Sequence, residues 1–138
     1  MQLSAQQRNS ITILDENLDK CLHEVVSEIN NLDHSVVCKV GSIGTEYLLT
    51  RRYISFKKAV AFSKEASLIV DIKKNSTEVI FEGDLCGEDG EILLDGPCLT
   101  LKIELINEEN INEWMRSFEG FLKNPDIYSL IKLYLNGD

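Results

Sequence analysis

The sequence has 138 residues, of which 43% are hydrophobic and 27% are charged. This length and this ordinary globular composition predict a single domain over residues 1–138 and exclude a disordered chain. The formal net charge of −9 disfavours nucleic acid as the main ligand, because phosphate binding requires a net basic face.

The sequence carries no sign of membrane insertion or of export. No apolar stretch approaches the roughly 20 residues that a membrane span needs, and the N-terminus has no basic region followed by an apolar one. We therefore expect a cytoplasmic protein with no membrane association. The four cysteines, Cys21, Cys38, Cys86 and Cys98, form no C-x-x-C pair, so we expect reduced thiols and no structural zinc site.

The first predicted element is an amphipathic helix over residues 12–31. Apolar residues such as Leu14, Leu18, Leu22 and Val25 recur there at spacings of three and four, with acidic residues on the other face. Residues 1–10 are polar, and we expect them to be frayed.

Five to seven strands are predicted between the first helix and residue 105. In chain order they cover residues 34–40, 45–50, 68–73, 78–82, 91–94 and 98–105. Turns are predicted at 41–44, 74–76 and 95–97, and a glycine-bearing loop at 83–90. Residues 52–64 fit either a strand or a short helix, and the alternation of apolar residues favours the strand.

Two helices are predicted after the strands. Asn107 is the predicted N-cap of the first, whose apolar stripe contains Trp114 and Phe118 and is expected to pack on the sheet. Pro125 begins the second helix and Gly137 ends it. The order predicts an α+β fold, with an antiparallel sheet of about five to seven strands flanked by an N-terminal helix and two C-terminal helices.

Charge is distributed unevenly along the chain. Residues 51–80 contain seven basic and three acidic residues, whereas residues 81–138 contain four basic and thirteen acidic residues. The first region defines the basic segment: Arg51, Arg52, Lys57, Lys58, Lys64, Lys73 and Lys74. The second is densest in six residues, the acidic set: Glu82, Asp84, Glu88, Asp89, Glu91 and Asp95. We expect the two groups to lie near each other and to neutralise each other in part.

No pattern in the sequence predicts catalysis. The two histidines, His23 and His34, stand in no nucleophile–base motif, and ordinary surface or capping roles explain both. The acidic set fails as a calcium loop, because counting from Asp84 places Asp89 where a glycine is required. We predict no catalytic residue, metal ligand or cofactor.

The leading functional hypothesis is a non-enzymatic protein-binding domain. The acidic set would be its partner-binding surface for a basic protein, and an inhibitor or immunity protein is the most concrete version. The alternative is a chaperone or adaptor, a homodimer in the simplest case, that binds through an apolar strand edge or helix face. A third hypothesis is an enzyme with a carboxylate-based site. A pocket around a carboxylate of raised pKa would favour the enzyme, and a flat acidic face would favour the binding domain.

Overall fold

The computed structural model describes residues 2–44, 48–60 and 62–137. The elements in chain order are α1 (Ala5–Leu32), β1 (Val36–Ile43), β2 (Leu48–Lys58), β3 (Glu65–Lys74), β4 (Glu78–Cys86), β5 (Ile92–Lys102), a 3-10 turn (Ile103–Leu105), α2 (Glu108–Leu122) and α3 (Pro125–Asn136). The strands form one sheet in the order β1-β2-β3-β4-β5, and every neighbouring pair is antiparallel. The predicted α+β architecture is confirmed, with five strands.

Helix α1 begins earlier than the sequence pattern predicts. Ser4 caps it through a reciprocal pair of hydrogen bonds, in which the Gln7 N–H donates to the Ser4 hydroxyl and the Ser4 N–H donates to the Gln7 side chain. The Gln7 amide also donates to the carbonyls of Ile103 and Ile106. Residues 5–10 are therefore helical and held in place, which differs from the expected frayed end.

The largest differences from the prediction are in β4 and β5. The predicted loop over 83–90 is wrong over its first four residues, because β4 runs on to Cys86. Its alternation of buried and half-buried residues continues through Gly83, which faces the core. The predicted turn at 95–97 is also wrong, since β5 passes straight through it. A proline is tolerated there because β5 is an edge strand.

The other boundaries shift by a few residues. The predicted turn at 41–44 belongs to β1 as far as Ile43, and the strand preferred for residues 52–64 is confirmed as far as Lys58. The predicted strand over 45–50 is confirmed from Leu48 onward, while residues 45–47 lie outside the described part of the chain. The predicted strand over 98–105 ends at Lys102 and continues as the 3-10 turn.

The two C-terminal helices match the prediction closely. The Asn107 side chain accepts a hydrogen bond from the Asn110 N–H and caps α2, and the Asn124 side chain caps α3 in the same manner ahead of Pro125. Gly137 follows the last residue of α3.

All three helices pack on one face of the sheet. Phe81 of β4 meets Trp114 of α2 at 5.9 Å between ring centroids, and Trp114 stacks on Phe118 at 5.2 Å. Phe118 is fully buried above Gly83, where a side chain on the strand would collide with its ring. The expectation that the aromatic stripe packs on the sheet is confirmed.

Glycine-to-alanine substitutions at two positions are expected to have opposite effects on stability. A Cβ at Gly83 would lie 2.6 Å from the Phe118 ring, so Gly83→Ala should destabilise the protein by about 1–3 kcal/mol. Gly120 of α2 has no neighbour within 4 Å of such a Cβ, so Gly120→Ala should stabilise it by about 0.5 kcal/mol. Urea unfolding of both variants measures the difference. Equal stability of the Gly83→Ala variant and the natural protein would contradict the close contact with Phe118.

Candidate functional site

The face of the sheet opposite the helices is open, and it carries much of the acidic set. Strand residues that alternate with the buried core positions point to this side. They are half-buried by their strand neighbours and are not covered by any described helix. From β2 to β5, the polar residues on this open face include Arg51, Asp71, Lys73, Glu82, Asp84 and Asp95.

Asp71 is the one buried charged residue among those described, and its partner is Arg51 on the neighbouring strand. Arg51 donates from Nε to Oδ1 at 2.6 Å and from Nη2 to Oδ2 at 2.7 Å. This bidentate pair raises the pKa of Arg51 above its usual value through the Asp71 hydrogen bonds. Asp71 is therefore satisfied by Arg51 and supports the sheet.

Three members of the acidic set lie together on β4 and β5. Asp84 pairs directly with Asp95 across the two strands, and Glu82 precedes Asp84 on the same face. Glu82 has a basic partner, because Lys73 Nζ lies 3.3 Å from its Oε2. Asp84 accepts a backbone hydrogen bond from the Gly96 N–H at 3.3 Å. Among the described residues neither Asp84 nor Asp95 forms a salt bridge.

Asp84 holds a proton more tightly than an ordinary aspartate. Partial burial and the adjacent carboxylates of Glu82 and Asp95 raise the pKa of Asp84 to about 6, against the opposing effect of the Gly96 hydrogen bond. Two strands therefore bring like charges together with too little positive charge nearby to compensate them.

The other three members of the acidic set lie in the turn between β4 and β5. Gly90 adopts a positive φ of 82°, and the Gly87 N–H donates to the Glu91 carbonyl, which closes the turn. The Glu91 carboxylate accepts hydrogen bonds from the Tyr134 hydroxyl and the Asp89 N–H. Bonds from its own backbone N–H and from Tyr134 hold the pKa of Glu91 below its usual range. Glu91 is therefore part of the turn structure.

Glu88 and Asp89 project from this turn into solvent. The Glu88 backbone N–H donates to the Tyr134 hydroxyl, which anchors the turn to α3. Both side chains are exposed, and neither forms a salt bridge within the described residues. The structure thus places the acidic set in two neighbouring groups: one on the open face and one at the turn.

The basic segment is neutralised mainly by carboxylates outside the acidic set. Arg52 reaches α1, where it donates to Asp15 at 2.7 and 2.9 Å and to Asp19 at 2.7 Å. Burial acts to raise the pKa of Asp15, but the hydrogen bonds and charge of Arg52 outweigh it and lower the pKa. Lys57 pairs with Glu65, which is outside the acidic set. Among the described residues, the direct salt bridge between the basic segment and the acidic set is Lys73–Glu82.

Sequence reasoning missed the roles of Asp15 and Asp71. The available signal was an aspartate between Val70 and Ile72 in an otherwise apolar strand, which indicates a buried charge with a partner. Its partner Arg51 depends on the register between β2 and β3, and the Asp15–Arg52 pair depends on where α1 crosses β2.

The described residues contain no cluster of histidine, cysteine, aspartate and glutamate suited to a metal ion. His23 and His34 are both exposed. The cavities found in this part of the chain are lined by residues outside the acidic set. The acidic set therefore lies outside these five cavities, on the open sheet surface and at the β4–β5 turn.

Comparisons with protein-family models, with curated proteins and with solved structures gave no match for this chain. Within residues 2–44, 48–60 and 62–137, no helix is both long enough and apolar enough to cross a membrane.

Replacing Asp84 by asparagine is expected to stabilise the protein at pH 7 and to have little effect at pH 4. Because the pKa of Asp84 is about 6 in the folded protein and lower in the unfolded chain, the folded state binds the proton more tightly. The protonated Asp84 side chain therefore stabilises the folded protein at low pH, and this stabilisation is lost as the pH rises from about 4 to about 6. Urea unfolding of Asp84→Asn and the natural protein across this range tests the difference. A gap between the two that does not widen with pH would contradict the raised pKa.

Proposed function

We propose that this protein is a non-enzymatic binding domain that docks on a basic partner protein. Its contact would be the acidic surface formed by Asp84 and Asp95 on the open face and by Glu88 and Asp89 at the β4–β5 turn. The observation that carries the proposal is a group of carboxylates that have no basic partner among the described residues: Asp84 and Asp95 on the open face, and Glu88 and Asp89 at the adjacent turn.

The electrostatics of the open face favour a cationic partner. Burial and the neighbouring carboxylates of Glu82 and Asp95 make ionising Asp84 costly in free energy, which is why its pKa is raised. A lysine or arginine brought close to these carboxylates would offset the part of that cost that comes from like charge, so charge complementarity would strengthen binding and steering would increase its rate.

The position of Asp84 on the open sheet surface supports binding over catalysis. A carboxyl group of raised pKa acts as a general acid when it lies in a pocket beside a bound substrate. Asp84 lines none of the five best-formed cavities of the described residues. An inhibitor or immunity protein that covers a basic cleft is the most concrete form of the proposal, and a cytoplasmic site of action goes with it.

A chaperone or adaptor that acts through a strand edge is the second candidate. Edge strand β1 exposes Val37 and Ile43 on the open face, with 52% and 46% of their surfaces accessible. Lys39 lies exposed between them, and a lysine in this position is a common device against edge-to-edge pairing. The acidic surface is therefore the stronger candidate.

Affinity capture from a host lysate tests the proposed function. The natural protein should retain a basic partner at low salt and release it at high salt, because screening weakens contacts between exposed charges. The variant Asp84→Asn/Asp95→Asn and the variant Glu88→Gln/Asp89→Asn each remove two charges while conserving shape. We expect each to retain less partner, by about threefold to tenfold in affinity.

The matched control is Glu104→Gln/Glu113→Gln, which removes two exposed carboxylates elsewhere. It should capture the partner as well as the natural protein does. A partner retained at high salt and held equally by all three variants would refute the acidic surface and favour binding through an apolar edge.

Binding to the captured partner is also expected to weaken as the pH falls through about 6. Protonation of Asp84 removes one of the charges that contact the partner, so the affinity should follow the titration of that carboxyl group. Titration calorimetry between pH 5 and pH 7.5 measures the effect. The Asp84→Asn variant should lose this component of the pH dependence, and retention of the full dependence would assign it to another group.

A further inference from the structure

A narrow apolar crevice lies on the helical side of the sheet, between α1 and α3. Its floor is formed by Phe56 of β2 and Leu68 of β3, and its inner wall includes Cys21 and Ile29 of α1 and Ile131 of α3. Its volume is about 480 Å³, which falls within the roughly 300–1,000 Å³ of small-molecule sites. The crevice lies on the opposite side of the sheet from Asp84 and Asp95, and none of its lining residues belongs to the acidic set, so it is a second site.

The lining of the crevice suits an elongated apolar ligand. Phe56 and Leu68 are each only 1% exposed, so the part of a ligand that lies against them is shielded from water. The lining residues on α1 run from Cys21 to Leu32, which corresponds to about 16 Å along the helix axis. An apolar lining of this length can accommodate an extended alkyl chain that lies along α1.

The mouth of the crevice is acidic. Glu24 and Glu28 lie one turn apart on α1 and are exposed at the rim, where Lys123 is the basic residue among the lining residues. Burial raises the pKa of the Cys21 thiol, and the nearby charges of Glu119, Glu24 and Glu28 add to this effect while Lys123 opposes it. A ligand with a positive head group would therefore be favoured at the mouth, and an anionic one disfavoured.

We propose that this crevice binds a single-chain amphiphile, with its alkyl chain between α1 and α3 and its cationic head group beside Glu24 and Glu28. Burial of the chain would supply most of the affinity, because each buried methylene contributes to the hydrophobic effect. The two carboxylates would select the sign of the head group.

The probes are decyltrimethylammonium and decanoate, which carry similar chains and opposite charges and are used below their micelle-forming concentrations. We expect the cation to bind more tightly than decanoate. Lengthening the cation from octyl to decyl should increase its affinity by about fourfold for each added methylene. Calorimetry gives the affinities. Isoleucine methyl NMR gives the location, with shifts expected at Ile29, Ile127 and Ile131, which line the crevice, and not at Ile80 on the open face.

Two pairs of variants separate the contributions of charge and volume. Glu24→Gln/Glu28→Gln should weaken binding of the cation by about fivefold without weakening that of decanoate, and Glu16→Gln/Glu104→Gln is its control outside the lining. Val25→Phe adds bulk inside the crevice and should weaken both probes. Val26→Phe is its matched neighbour, which does not line the crevice.

Equal affinity for decanoate and the cation, or methyl shifts on the open face instead of the crevice, would overturn the proposal. If Val25→Phe fails to fold, the carboxylate pair and the methyl shifts still decide the result. The acidic-surface variants Asp84→Asn/Asp95→Asn should bind the cation normally, so failure at this site is distinguishable from failure of the proposed function.

Discussion

The packing of α2 on β4 is the contact on which the arrangement of the whole protein depends. Phe118 fits above Gly83, and Trp114 fills the space between Phe118 and Phe81. This contact places the C-terminal helices on the same side of the sheet as α1, so one face of each strand is buried in apolar side chains. The other face is left open. Charged residues are tolerated there because solvent and the side chains of adjacent strands surround them.

The ionic contacts then determine which charges remain available. Arg52 joins β2 to two aspartates of α1, and Arg51 is used to satisfy the buried Asp71. Because these arginines are engaged, little positive charge reaches Asp84 and Asp95, which face each other across β4 and β5. The uncompensated negative charge at Asp84 and Asp95 is thus a consequence of how these arginines are used elsewhere in the fold.

The two sides of the sheet therefore offer surfaces of different chemistry. The open face carries the uncompensated carboxylates of Asp84 and Asp95, which suit a contact controlled by charge and salt. The helical side has an apolar crevice with a small charged mouth, which suits a contact controlled by burial of apolar surface. Because the sheet separates them, each surface can be altered with little direct effect on the other.

The sequence by itself determined the α+β class, the order of the elements, the N-cap of α2 and the start of α3 at Pro125. These features follow from local periodicity and from single residues such as Asn107 and Pro125, whose effects act within a few neighbours. The sequence did not predict the full extent of β4, because Gly83 and the acidic residues around it have the composition of a loop. Strand pairing and the Phe118 ring above Gly83 make this segment a strand.

The sequence identified the six residues of the acidic set, but it did not show which of them would be paired and which would remain without a basic partner. Whether a carboxylate is paired depends on strand register and on the place where a helix crosses a strand, and both join residues far apart in the chain. Only the tertiary structure could show that Glu82 pairs with Lys73, that Glu91 supports its own turn, and that Asp84 faces Asp95. The crevice between α1 and α3 likewise exists only once the helices are placed on the sheet, because no short stretch of sequence contains its walls.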